Sequence, residues 1–280
     1  MTISLNPFQA AEHQPFLWRG DHSGAALLVH GFPGTPAEMR PAAQVLHEAG
    51  WTVQGLLLPG FGPQLSELTH YNQADWAQAV RSALVALQAE YKTVVLVGNS
   101  IGAALALEVA AQQPPAGLIL FAPFWCSANR WLDRIFPVAR LFMHQLHPFQ
   151  KANFGDTQFR AGIQRMLPEI DLDDTEIQAA IRSLALPLEV LGHVRRAGQL
   201  GYLATPQVRA PVLILQGHQD IVAAPRFTRQ LGRRLPMLAG YVEVEGDHEL
   251  SRAKTEAWPL VAAFMQRFAA NLDLSHEAKL

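Results

Sequence analysis

Six short apolar runs, separated by longer stretches of helical period, constrain this chain more than any other feature. The runs are residues 25–29, 51–58, 93–97, 117–121, 212–215 and 241–244. Residues 93–97 are strongly β-branched, and His30-Gly31 and Pro59-Gly60 close two of the other runs, which predicts strands. Between them, Met39, Ala43, Val45 and Leu46, and then Trp76, Val80, Leu84 and Leu87, recur at the spacing of a helix face. Helices are also predicted over 101–112 and 256–271, and residues 61–71 read as loop. Strands that are apolar on both faces and alternate with helices imply an α/β fold, a mostly parallel sheet flanked by helices on both sides.

The alternation fails between residues 124 and 206. This segment is rich in Trp, Phe, Met, Leu and Arg, and Pro137, Pro148, Pro168 and Pro187 cut it into short helical pieces. It reads as a helical cap, residues 124–206, inserted into a core domain of residues 1–123 and 207–280. An insertion after the strand at 117–121 falls over the C-terminal edge of the sheet, where an apolar cap excludes water and lines a pocket. Phe124, Trp125 and Trp131 are the candidate substrate-lining residues of that cap, although aromatics at helical spacing also serve as cap core.

The strongest chemical signal is Gly98-Asn99-Ser100-Ile101-Gly102, placed after one predicted strand and before a predicted helix. A turn this tight forces its central residue into a strained backbone conformation, so the positions two away must lack bulk. The Ser100 hydroxyl is thereby held up at the sheet edge. A serine hydroxyl is a poor nucleophile at neutral pH and needs a base within hydrogen-bond reach.

Of 11 histidines, His248 lies in the loop after the last predicted strand, on the same edge as Ser100. His30 reads better as a support for the Gly31-Phe32-Pro33-Gly34 turn, and His218 as a loop residue. The base needs an acid to orient its ring, and Asp220, in the loop after residues 212–215, is the best placed; a helix-capping role near Pro225 is its alternative. Asp247 adjoins His248, but adjacent side chains diverge, so a surface role is expected. An oxyanion site needs two donors. Ile101 N–H, at the helix start, is one, and Phe32 N–H, after flexible Gly31 and before Pro33, is the other.

Other classes fit less well. A formal net charge of −2 gives no bias toward nucleic acid, and Arg195-Arg196 and Arg233-Arg234 read as solvated surface. Cys126 is the only cysteine, so no intrachain disulfide is possible and a reducing compartment fits. His144 and His147 have helical spacing without a carboxylate or cysteine cluster, so no metal site and no cofactor is expected. No signal peptide and no stretch of about 20 apolar residues is visible, which predicts a cytoplasmic protein without stable membrane insertion.

Taken together, His30-Gly31-Phe32-Pro33-Gly34, Leu58-Pro59-Gly60-Phe61-Gly62, Asp75-Trp76, Gly98-Asn99-Ser100-Ile101-Gly102, Gly217-His218-Gln219-Asp220 and Gly246-Asp247-His248 resemble the α/β-hydrolase superfamily. The likeness is to its small carboxylesterases and monoacylglycerol lipases. It implies acylation of Ser100, a triad completed by Asp220 and His248, and oxyanion donors at Phe32 and Ile101. The implied substrate is a small-molecule carboxylic ester of short to medium acyl chain. Two positions depart from the pattern: Phe61 stands where the esterases usually carry His, and Asn99 where many relatives carry His, Leu, Phe or Tyr. The same groups would serve a carbon–carbon bond hydrolase, a thioesterase, an acyltransferase or a perhydrolase, and a catalytically silent binding protein is a further reading.

Overall fold

The computed structural model describes residues 7–127, 131, 134–136, 138, 142–167 and 170–277. Seven strands form the central sheet: β1 (Phe16–Trp18), β2 (Gly24–Val29), β3 (Thr52–Leu56), β4 (Thr93–Asn99), β5 (Gly117–Phe121), β8 (Val212–Gly217) and β9 (Leu238–Val244). Their order is β1-β3-β2-β4-β5-β8-β9. The edge strand β1 runs antiparallel to β3, and every other pair is parallel. β1 gave no sequence signal, being three residues long, and the stretch read as loop winds into short 3-10 turns over Gly62–His70.

Burial explains why the strand runs are apolar throughout. Ala25, Leu27 and Val29 of β2, with Val94 and Leu96 of β4, face a layer that includes α2 (Gln73–Glu90) and α3 (Ile101–Ala110). Their neighbours Ala26, Leu28, Val95 and Val97 face the opposite layer, α1 (Arg40–Glu48) and the long final helix Trp258–Glu277. Both faces of the central strands β2, β4, β5 and β8 are therefore dry, and the edge strands β1 and β9 are partly exposed. At about 25 cal/mol per Å² of apolar surface buried, these two layers supply the main drive for folding.

The insertion divides in two. Phe154, Ile163, Leu167, Leu172 and Ile181 form a small apolar cluster of their own, built on α4 (Thr157–Met166) and α5 (Thr175–Ser183). Asp156 and Asp174 cap these helices by accepting from backbone N–H groups of the first turn. A two-stranded antiparallel ribbon of β6 (Gln145–Leu146) and β7 (Leu186–Pro187) brackets them in the chain. The following helix, α6 (Leu188–Ala204), does not belong to that cluster. Its Val190, Val194 and Ala197 join the main core, and a side chain at Gly201 would collide with the backbone of Ala104 on α3. Small residues let the two helices approach closely, so this part of the insertion packs beside the sheet rather than over its edge. Pro137 and Pro168 lie outside the described residues.

Candidate active site

β4 is fully buried and ends at Asn99, and α3 begins at Ile101, leaving Ser100 alone to make the turn. Its φ of 55° and ψ of −116° put a non-glycine residue in a sparsely populated region. The glycines permit this. A Cβ at Gly102 would strike the carbonyl oxygens of Val29 and His30, and one at Gly98 would lie 2.6 Å from the backbone of Ala103. The Ser100 N–H donates to Phe121 O at 2.9 Å, tying the turn to β5.

The loops after β8 and β9 are fastened to one another. His218 N–H donates to Val244 O at 2.8 Å and Gln219 N–H to Gly246 O at 2.9 Å. These bonds set Asp220 beside His248. Asp220 is only 2% exposed, and its Oδ1 accepts from the N–H groups of Val222 and Ala223, both at 2.8 Å. Oδ2 faces the imidazole: His248 Nδ1 lies 2.7 Å away, and Gln216 Nε2 donates to the same oxygen at 3.2 Å. A carboxylate can only accept, so Nδ1 carries the ring hydrogen and Nε2 presents its lone pair. Nε2 is 3.0 Å from Ser100 Oγ. Hydroxyl, imidazole and carboxylate thus form one hydrogen-bonded chain across residue separations of 148 and 28.

Backbone geometry fixes how the two N–H groups expected to act as oxyanion donors are presented. Ile101 opens α3, so its N–H has no partner within the helix. In the turn after β2, Gly31 O receives Gly34 N–H at 3.0 Å and the His30 ring nitrogen Nδ1 at 2.9 Å. Carbonyl and N–H point in opposite directions across a trans peptide, so the Phe32 N–H points away from those two donors. Phe32 and Ser100 both line the cavity described below.

His30 itself is fully buried. Its Nε2 accepts from Leu58 N–H at 3.1 Å, so both nitrogens are committed and the ring is neutral. Burial pushes the imidazole below its ordinary pKa, and the Glu38 charge offsets only part of that. His218 is largely exposed near Glu243, and Asp247 is exposed and caps Glu249 N–H. His144 and His147 are exposed. Among the described residues no group of three or more His, Cys, Asp and Glu could hold a metal ion.

A cavity of about 500 Å³ opens at Ser100 and His248. Phe149, Phe159, Ile163 and Met166 of the segment between β5 and β8 form one wall, and Phe8 and His13 of the N-terminal segment line it as well. Phe124, Trp125 and Trp131 are not among its lining residues. The Trp125 ring stacks on Tyr202 at 3.9 Å and its Nε1–H donates to Phe227 O at 2.9 Å, fixing the insertion to the body. The Phe124 ring lies against Gly198 of α6, and Trp131 is 61% exposed. Of the two departures, Phe61 is buried edge-on between His30 and Trp76, away from the cavity, whereas Asn99 lines it. Sequence reasoning missed Glu38, whose buried carboxylate accepts from Gly31 N–H and from Asn99 Nδ2. No local pattern marks it, since its partners lie 7 and 61 residues away.

Comparison with known proteins fits this geometry. The thermostable monoacylglycerol lipase of Bacillus sp. (strain H-257) is 36% identical over 88 residues, 31% of this chain and 35% of that protein. The carboxylesterase of Bacillus subtilis (strain 168) is 31% identical over 107 residues, 38% of this chain and 43% of that one. The aligned parts thus span less than half of either relative. Among solved structures, a metagenome-derived lipolytic enzyme superposes with a TM-score of 0.73 at 20% identity, covering 93% of this chain and 98% of that one. That likeness is one of fold, and the fold is that of the α/β-hydrolases. The family described as Hydrolase_4, serine aminopeptidase S33, matches residues 20–244, most of the chain, and the protein belongs to it.

Proposed function

We propose that this protein is a serine hydrolase that cleaves carboxylic esters of short to medium acyl chain, monoacylglycerols among them, through an acyl-enzyme. The observation that carries the reading is the His248 ring, 3.0 Å from Ser100 Oγ and 2.7 Å from Asp220 Oδ2. In this scheme Ser100 Oγ attacks the ester carbonyl carbon while His248 Nε2 takes its proton. Asp220 stabilises the imidazolium and holds the ring in place. The Phe32 and Ile101 N–H groups receive the oxyanion of the tetrahedral intermediate, each worth on the order of 100- to 1000-fold in rate. The intermediate expels the alcohol, which takes the proton from His248 and leaves Ser100 acylated. Water then attacks the acyl carbonyl, giving its proton to His248, and the carboxylic acid departs as Ser100 regains a hydrogen.

The cavity supports a substrate with an apolar acyl or alkyl group, with Arg252 and Lys254 among its other lining residues. Its cap wall is aromatic and aliphatic, and its volume lies within the roughly 300–1,000 Å³ usual for small-molecule sites. Among the described residues, each of the three carboxylates that line it has a partner: Glu38 as above, Glu12 with His13, and Glu249 with Arg252. That arrangement offers no spare anion for a substrate ammonium and favours an ester over an amino-terminal peptide. The activities named for the two Bacillus relatives point the same way.

In this reading residues 1–123 and 207–280 are the hydrolytic body and 124–206 the insertion that caps it. The partner is a small-molecule ester rather than nucleic acid. Among the described residues no helix is long and apolar enough to cross a membrane. With Cys126 its single cysteine, the chain forms no intrachain disulfide, which suits the reducing cytoplasm, where we place the protein.

Purified protein is expected to release p-nitrophenol from acetate, butyrate and octanoate esters, and Ser100→Ala to abolish both turnover and labelling by a fluorophosphonate. Labelling without turnover of any ester would move the assignment to another acyl-transfer or carbon–carbon hydrolysis. Neither labelling nor turnover would make the protein a silent relative.

A further inference from the structure

We propose that Glu38 is a positioning residue for the oxyanion-binding turn, its buried carboxylate pinning residues 31–34 to the Ser100 turn while Arg252 offsets its charge. The inference rests on the ester-hydrolase reading of the site.

Glu38 is 8% exposed and sits in the 3-10 turn Pro36–Met39. Its Oε1 accepts from Gly31 N–H and from Asn99 Nδ2, the latter at 2.9 Å, and its Oε2 is 3.6 Å from Arg252 Nη2. Each partner adjoins or lies near a group the mechanism uses. Gly31 precedes Phe32, Asn99 precedes Ser100, and Arg252 follows His248 by four residues. A side chain at Gly34 would collide with the same carboxylate, so the turn is wrapped around it.

The Phe32 N–H direction is set by the backbone angles of Gly31, which has no side chain to restrain them. A hydrogen bond from the Gly31 N–H to a buried anion supplies that restraint, and charge-assisted bonds are the strong ones. The Asn99 amide extends the restraint to the residue before the nucleophile, so donor and nucleophile keep one fixed separation. An apolar residue at 99 would leave Oε1 with one donor fewer, which gives this departure from the family pattern a physical purpose. An anion near a forming oxyanion would oppose it, and the guanidinium of Arg252 counters that repulsion.

The test measures kcat and KM on p-nitrophenyl butyrate, and the affinity of an alkyl boronic acid that forms a tetrahedral adduct on Ser100. Rates are expressed per active site counted by fluorophosphonate burst. Glu38→Ala is expected to lower kcat by about 100-fold, the scale of a misplaced catalytic group, and to weaken the boronate by a similar factor. KM should stay within about twofold, because the lost contact acts in the transition state. Glu38→Gln keeps an acceptor for Gly31 N–H and should recover most of the loss. A merely structural role would lower the count of active sites and leave kcat per site and boronate affinity unchanged, which would overturn the proposal. Should Glu38→Ala not fold, Glu38→Asp decides, because its shorter side chain withdraws the carboxylate from Gly31; an unchanged kcat there overturns the proposal as well. Wild-type protein without ester turnover would sink the underlying reading, whereas active wild type with an indifferent Glu38 sinks this inference alone.

Discussion

The strand-end loops and the cap wall face each other across one cavity, yet they are built on different physical terms. Ser100, Asp220 and His248 leave strands whose backbones are locked in a dry sheet, and their loops are fastened to neighbouring strands and to one another by backbone hydrogen bonds. The other wall is Phe149 and the short capped helix α4, which packs with α5 over a small cluster of their own and is joined to the N-terminal segment by Phe8 N–H donating to Met166 O at 2.7 Å. Those backbone bonds tie the first surface to the sheet. A side chain on the second can be exchanged for another of similar bulk at a cost of typically less than 1.5 kcal/mol. In the proposed function, chemistry belongs on the sheet side and selectivity on the adaptable one.

The sharpest way to break that division is at the imidazole. His248→Ala is expected to reduce kcat by about 10⁴- to 10⁶-fold with the fold intact, and Ser100→Ala together with His248→Ala to be little worse than either alone. Circular dichroism and steady-state hydrolysis check both halves. Losses that multiply in the double variant would mean that the two side chains act independently, and the hydrogen-bonded chain would lose its meaning.

The same division explains what could be read before any coordinates. The centre of the sheet was legible because β2, β4, β5 and β8 are buried at every position and almost wholly apolar, and Gly98 and Gly102 were legible because only glycine fits against the Ala103, Val29 and His30 backbones. The meeting of Ser100, His248 and Asp220 was legible because loops at the ends of parallel strands reach a common edge. The cap wall was not legible. Aromatic density pointed to Phe124, Trp125 and Trp131, yet Trp125 follows β5 so closely that its ring anchors the insertion to the body. Phe149 and Phe159 reach the cavity only because α4 sits where it does, and that placement depends on contacts among residues 149–181 that carry no periodic signature of their function. The helix Leu188–Ala204 defied expectation for the same reason, since Gly201 packing on Ala104 is a tertiary fact.

If the wall governs selectivity, Phe159→Ala and Met166→Ala should change which ester is preferred and leave the chemistry alone. Each is expected to alter the ratio of kcat/KM for octanoate over acetate esters by about 10-fold, the scale of a methylene or two in an apolar pocket. The acetate kcat should hold. An equal fall for every chain length would show that the wall takes part in the catalytic step, and the contrast between the two surfaces would fail.

A smaller effect tests the sheet side through stability. His30 is buried and neutral beneath the oxyanion turn, with its pKa lowered from the ordinary 6.5 chiefly by burial. Below about pH 6.5 the unfolded chain takes up a proton on this ring that the folded chain refuses, so the sign is fixed: stability falls as the pH drops. The contribution is fully present above pH 6.5, declines by at most about 1.4 kcal/mol per pH unit below it, and levels off beneath the folded-state pKa. Urea midpoints between pH 7.5 and 5.5 measure it, and His30→Asn isolates it from the other histidines, because the variant should lose stability at neutral pH but show a shallower acid slope. Equal slopes in the two proteins would mean that the ring accepts its proton in place, and a turn able to admit that charge would not be the rigid surface on which the comparison depends.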